Sequence, residues 1–206
     1  EIMPRTAEKV ESFASILPKD TLIYIAHIDG TSIDDMVRTA VRLGNEGFKV
    51  MPHFPARIIK DKPTLSDWID RYVSEAGVKR ALLLAGGIDT PKGSFDSSMQ
   101  LLETELFDKY GFTDLNVAGH PEGNKDIDPD NTNKNVDMAL AWKQKFSERT
   151  DANMGITTQF AFDSVPIFEW ANRINAAGIK LPINVGVEGP AKLQTLIKFA
   201  IACGVG

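Results

Sequence analysis

One cysteine, Cys203, stands in 206 residues, so the chain can build neither a disulfide framework nor a cysteine-rich zinc site. Cysteine this sparse fits a reducing compartment. Positive charge is not in excess either, with 23 Lys and Arg against 28 Asp and Glu and a formal charge of -5. No basic stripe is present, which argues against a nucleic-acid binder. No apolar run approaches the ~18–20 residues of a membrane span, and nothing resembles a signal or transit peptide. The chain therefore reads as cytoplasmic. A glycine-rich phosphate loop is missing too: neither GxGxxG nor GxxxxGK[ST] follows any apolar run.

What is present is a balance of 43% apolar and 25% charged residues, that of a soluble globular protein with enough chain for one good-sized core. Six short apolar runs recur: LIYIAH (22–27), FKVMPH (48–53), RALLLAG (80–86), LNVAGH (115–120), GITTQF (155–160) and PINVGV (182–187). Each is nearly continuous in apolar character and bounded by glycine or proline, the pattern of parallel strands buried on both faces. Amphipathic stretches with helix signals lie between them. Thr31 and Ser32 precede IDDMVRTAVRLGNEG, whose Asp34 and Asp35 favour the helix dipole. Thr64 or Ser66 is the expected cap of DWIDRYVSEAG, and Gly77 its stop. Ser164 opens VPIFEWANRINAAG, and Pro190 stands near the start of the last helix.

The rhythm is one helix followed by six βα units. Without a phosphate-binding turn, a doubly wound sheet is the weaker reading, and an α/β fold of the (β/α)8 TIM-type barrel is the stronger. Such barrels run to about 250 residues. The chain then reads as a single barrel domain over 1–206, incomplete at both ends. It would lack most of strand 1, which ends near Glu1, and the last βα unit. The loop 121–133 is long and polar, and such loops inside a compact domain are usually functional.

In a barrel, chemistry gathers where strands end. All three histidines, His27, His53 and His120, fall at such ends. Three imidazoles there could bind zinc, as in barrel hydrolases, although the carboxylate or modified lysine that normally joins them is not evident. Gln159, near the end of its run, is a side-chain amide that either satisfies backbone groups or reads a ligand's paired donor and acceptor edge. Asp126, Asp128 and Asp130 mimic a calcium loop but lack its sixth-position glycine and twelfth-position glutamate, so a solvated acidic loop is expected.

The ordered segments EIMPRT, MPHFPAR, LLLAGG, VAGHPEG and TTQFAFD resemble methylenetetrahydrofolate reductase, a flavin-dependent (β/α)8 barrel family. That family reads roughly E-F-x-P-P, A-P-H-L, L-R-G-D, A-x-Y-P-E-x-H and I-T-Q-x-F-F-D in the same order. The resemblance runs over nearly the whole chain and is most specific in GHPEG and TQFAFD. It implies interconversion of 5,10-methylenetetrahydrofolate and 5-methyltetrahydrofolate, with FAD as cofactor and NAD(P)H as co-substrate, in a homo-oligomer. It implies that Glu1 is the catalytic acid, which protonates a ring nitrogen of the folate. Gln159 and Phe160 would bind the folate, with Phe162 as apolar wall. FAD would be held by His53, by the turn of Ala85, Gly86 and Gly87, by His120 and Asn124 of the loop, and by Lys145 at the phosphates. No metal is implied. The chain departs from the pattern where L-R-G-D becomes Leu84-Ala85-Gly86-Gly87, losing an arginine and an aspartate, and where His120 and Asn124 replace tyrosine and histidine. Asp89, two residues late, could replace the aspartate only if the turn is rebuilt. The alternatives are the metal-dependent hydrolase and a barrel that binds folate or flavin without turnover.

Overall fold

The computed structural model describes residues 1–203 and 205. Six strands alternate with helices: β1 (Leu22–Ile25), β2 (Lys49–Pro55), β3 (Arg80–Leu84), β4 (Asp114–Gly119), β5 (Asn153–Ala161) and β6 (Ile183–Val187). The strands form one sheet in strictly sequential order, with β1 and β2, β2 and β3, and β5 and β6 paired in parallel. Each apolar run of the sequence is one of these strands. A doubly wound sheet reverses its order at a switch point, and this one has no reversal. The order is that of a singly wound βα chain, compatible with part of a TIM-type barrel.

The main helices are α1 (Pro4–Ala7), α2 (Ile33–Asn45), α3 (Lys62–Ala76), α4 (Ser98–Glu103), α5 (Leu106–Lys109), α6 (Lys134–Phe146), α7 (Ser164–Ala176) and α8 (Leu193–Cys203). Ser32 caps α2 by accepting from the Asp35 N–H. The α3 cap is Asp61 rather than Thr64 or Ser66: its carboxylate accepts the Thr64 N–H at 2.9 Å, so the helix starts earlier. A charged acceptor at the dipole's positive end outcompetes a hydroxyl inside the first turn. Gly77 ends α3 in the left-handed conformation, at φ +62°. The cap of α7 is Asp163, and α8 begins three residues after Pro190. No described helix is long and apolar enough to cross a membrane.

The chain divides into two compact units, 1–116 with 151–153, and 117–150 with 154–206. In the first, the helix side of the sheet is an aromatic core. Phe54 of β2 meets Tyr72 of α3 and Phe107 and Phe112 at centroid distances of 5.2–6.4 Å, all four essentially excluded from solvent. Side chains alternate along a strand, so Tyr24, His53 and Asn116 belong to the opposite face. There the Asn116 amide donates to the Tyr24 hydroxyl at 3.0 Å. These residues lie on β1 and β4, which two strands separate. At about 4.8 Å per strand, a flat sheet would hold them about 14 Å apart with side chains side by side. The bond forms because the sheet of this unit curls strongly toward that face.

In the second unit α6 turns Val136, Leu140, Lys143 and Phe146 inward, a stripe at helical spacing. Gly119 ends β4 where Trp170 of α7 crosses it. A Cβ at Gly119 would stand 2.5 Å from the Ile156 side chain and 3.0 Å from the Trp170 ring. The acidic loop is not uniformly solvated. Asp128 is buried, and its carboxylate accepts the N–H groups of Asn135 and Val136, capping α6 from outside the helix.

Candidate functional site

Glu1 is placed by backbone pairing. Ile2 donates to the Tyr24 carbonyl at 2.9 Å and accepts from Ala26 at 2.8 Å, a parallel bridge against β1. The following segment is held by Arg42 of α2. Its guanidinium donates to the carbonyls of Ala7, Val10 and Glu11 and pairs with Glu46, whose other oxygen accepts the Phe13 N–H. These contacts leave the Glu1 carboxylate 3.3 Å from Nε2 of His53, near the end of β2. The pair is misaligned for a straight hydrogen bond, and the buried ring nitrogen has no other hydrogen-bond partner. Burial raises the Glu1 carboxyl pKa, but contact with His53 and its charge outweigh that, and the group stands below the ordinary carboxylate value. This differs from the raised acid that the reading as proton donor wants.

His27 is 96% buried and stacked on Trp68 of α3 at 4.8 Å. Its Nε2–H donates to the Thr31 carbonyl at 3.1 Å, which leaves the buried Nδ1 lone pair without a partner. Burial pushes its pKa down, partly opposed by the Thr31 carbonyl. The ring is thereby neutral and structural. Among the described residues no group of three or more His, Cys, Asp or Glu is arranged to hold a metal ion.

The turn Ala85-Gly86-Gly87 is rigidly built. Arg57 N–H donates to the Ala85 carbonyl at 2.9 Å, and Gly86 takes φ +100° with its Cβ position 3.1 Å from Pro55. At Gly87 an added Cβ would meet nothing within 4 Å, so its backbone faces open space. The Arg57 side chain holds the loop beyond by donating to the Asp96 carboxylate at 2.7 Å and to the Ile88 carbonyl. An arginine–aspartate pair does stand at this turn, but it comes from other positions than the family's. Asp89 is exposed.

In the second unit His120, Asn124, Gln159 and Phe160, four of the residues singled out in the sequence, line one small cavity of about 60 Å³. That volume holds a few waters. Gln159 sits at a bulge of β5, where the register with β6 shifts between Thr157 and Phe160. The Gly186 N–H turns to the Thr158 hydroxyl at 2.9 Å, and a Cβ at Gly186 would stand 2.8 Å from the Thr158 carbonyl. Bulges re-aim side chains, and this one presents Gln159 outward. Its oxygen accepts the Phe160 N–H at 3.0 Å, which leaves its NH2 as donor. The Asn124 oxygen accepts from Asp126 and Ile127 N–H, so this side chain shapes the loop and offers only its NH2 to a ligand. Phe160 meets Phe162 edge-on at 5.6 Å.

Burial pushes His120 down to about 4, helped by the charge of Lys143. Lys143 is itself buried, which brings its pKa down to about 8. Lys145, expected at the phosphates, is exposed on the other side of α6. The sequence carried the signal: position 143 falls on the stripe of 136, 140 and 146, whereas 145 does not. Tyr24, Asn116 and Lys143 are the polar residues that the sequence reading passed over. No protein-family model matches the chain.

Proposed function

We propose that this chain is a flavin-dependent oxidoreductase of the methylenetetrahydrofolate reductase type, built on a (β/α)8 barrel and interconverting 5,10-methylene- and 5-methyltetrahydrofolate with NAD(P)H. The observation that carries the reading is the grouping of Gln159, Phe160, His120 and Asn124 around one cavity, with Gln159 aimed by a strand bulge. Bound FAD would supply the hydride relay between nicotinamide and folate. For this cofactor the residues fit in part. In the first unit Gly87 offers an open backbone for a flat ring to approach; in the second, the buried Lys143 suits a phosphate better than the exposed Lys145 does. The remaining chemistry belongs to the protein. In the second unit the Gln159 amide would orient the pterin and Phe160 would exclude water from one face; in the first, Glu1 would be the acid that opening of the five-membered ring calls for.

The visible spectrum tests the reading. Purified protein should carry flavin bands that bleach with NAD(P)H or with methyltetrahydrofolate, and Gln159→Leu should abolish bleaching by the folate only. Protein that binds no FAD at micromolar concentration refutes it. The metal-hydrolase alternative is the weaker one, because among the described residues no group of three or more His, Cys, Asp or Glu is arranged to hold a metal ion.

A further inference from the structure

The proposed acid is held as a carboxylate beside an imidazole, and a carboxylate has no proton to give. Resting on the folate reading, we infer that Glu1 and His53 act as one proton-carrying pair, in which His53 loads the proton that Glu1 delivers. The geometry supports this in three ways. The Glu1 oxygen and His53 Nε2 lie 3.3 Å apart, and among the described residues Nε2 is buried without a hydrogen-bond partner, so Glu1 is the acceptor to which a small shift would bring its proton. The His53 side chain is 12% exposed and that of Glu1 59%, so the imidazole is shielded and the carboxylate faces the open side, where a substrate would arrive. The edge of the Tyr24 ring meets the His53 ring at 6.3 Å, and Tyr24 is itself fixed by Asn116, so the imidazole sits against an ordered wall.

In the proposed step the His53 Nε2–H proton passes to the Glu1 oxygen and from there to the ring nitrogen of the methylene bridge. The bond between that nitrogen and the bridging carbon breaks, and the nitrogen keeps the electron pair and the new proton. Glu1 returns to carboxylate, His53 becomes neutral, and solvent reprotonates it in the next cycle. The carbon left electrophilic would be the acceptor of the hydride that bound FAD would supply. Other titratable groups facing the pair are His27 and Tyr24, from β1 and its end. His27 is held neutral by burial, so it neither competes for the proton nor repels it.

The test is an NMR titration of the His53 imidazole in the full chain, wild type and Glu1→Gln. An opposite charge a few ångströms away favours the protonated ring, so removing it with Glu1→Gln should lower the His53 midpoint. A midpoint unmoved to within about 0.3 units overturns the pair, whatever the protein turns over. With folate as oxidant of the reduced enzyme, the wild-type rate should fall as pH rises through the His53 midpoint, and His53→Asn should remove that limb. A limb that survives in His53→Asn also overturns the proposal. A coupled pair in a protein that never turns over folate supports the pair and overturns the folate reading alone.

Discussion

Replacing Lys143 by methionine should make the ligand-free protein more stable, although it deletes a charged residue next to the proposed site. The folded-state pKa is about 8 against 10.5 for a free lysine, and its cause is burial. A folded pKa depressed in a base means that the unfolded chain binds the proton more tightly. The cost of charging Lys143 in the fold is therefore fully present below pH 8, shrinks as pH rises from 8 to 10.5, and vanishes above. At about 1.4 kcal/mol per pH unit, the gap of some 2.5 units amounts to roughly 3 kcal/mol at pH 7. Methionine of similar length fills the same slot on α6, between Leu140 and Phe146, without that cost. In urea denaturation at pH 7, Lys143→Met should gain up to roughly 3 kcal/mol, or about 6–12 °C in melting temperature for a chain of this size. The gain should fade at pH 9.5–10. Added pyrophosphate or FAD should stabilise the wild type and not the variant, because only the wild type has the charge to pair. A variant less stable than wild type at pH 7, or a difference that does not change with pH, would refute the reasoning.

Three further outcomes are expected. Phe54→Ala opens the aromatic core around Tyr72, Phe107 and Phe112, and should cost about 3–5 kcal/mol in equilibrium unfolding; a loss under about 1 kcal/mol would mean that core is not packed as described. At Gly93 a Cβ would stand 1.7 Å from the Lys60 carbonyl, so Gly93→Ala must displace the loop after β3, and limited proteolysis should cut within 85–97 faster than in wild type. His120 titrates near 4 in the fold and 6.5 when unfolded, so stability should be lost as pH falls from 6.5 to about 4, by at most roughly 3 kcal/mol. His120→Gln should flatten that limb of the stability–pH curve, and an unchanged limb would assign it to other groups.

The six strands were legible because a strand covered on both faces leaves a short, continuous apolar run, and each such run is a strand here. Placing His53, His120 and Gln159 near strand ends followed from the same runs. Helix starts were less legible: Asp61, Thr64 and Ser66 all suit a cap, and which carbonyl begins the ladder depends on how the chain leaves β2. That Lys143 is buried and Lys145 exposed was written in the helical period, since 143 shares the stripe of 136, 140 and 146. Asp128 read as a solvated acid, because nothing local reveals that it reaches forward to cap α6.

By itself, then, the sequence determined the α/β alternation, the parallel pairing and the strand ends, since these depend on local periodicity and on which groups water rejects. The tertiary structure alone decided what meets across the chain: the bond between Tyr24 and Asn116, the approach of Glu1 to His53, and the burial of Lys143. Such contacts join residues tens of positions apart through the curl of a sheet and the seating of a helix. Their electrostatics follow from burial, which no stretch of sequence specifies until the fold has closed around it.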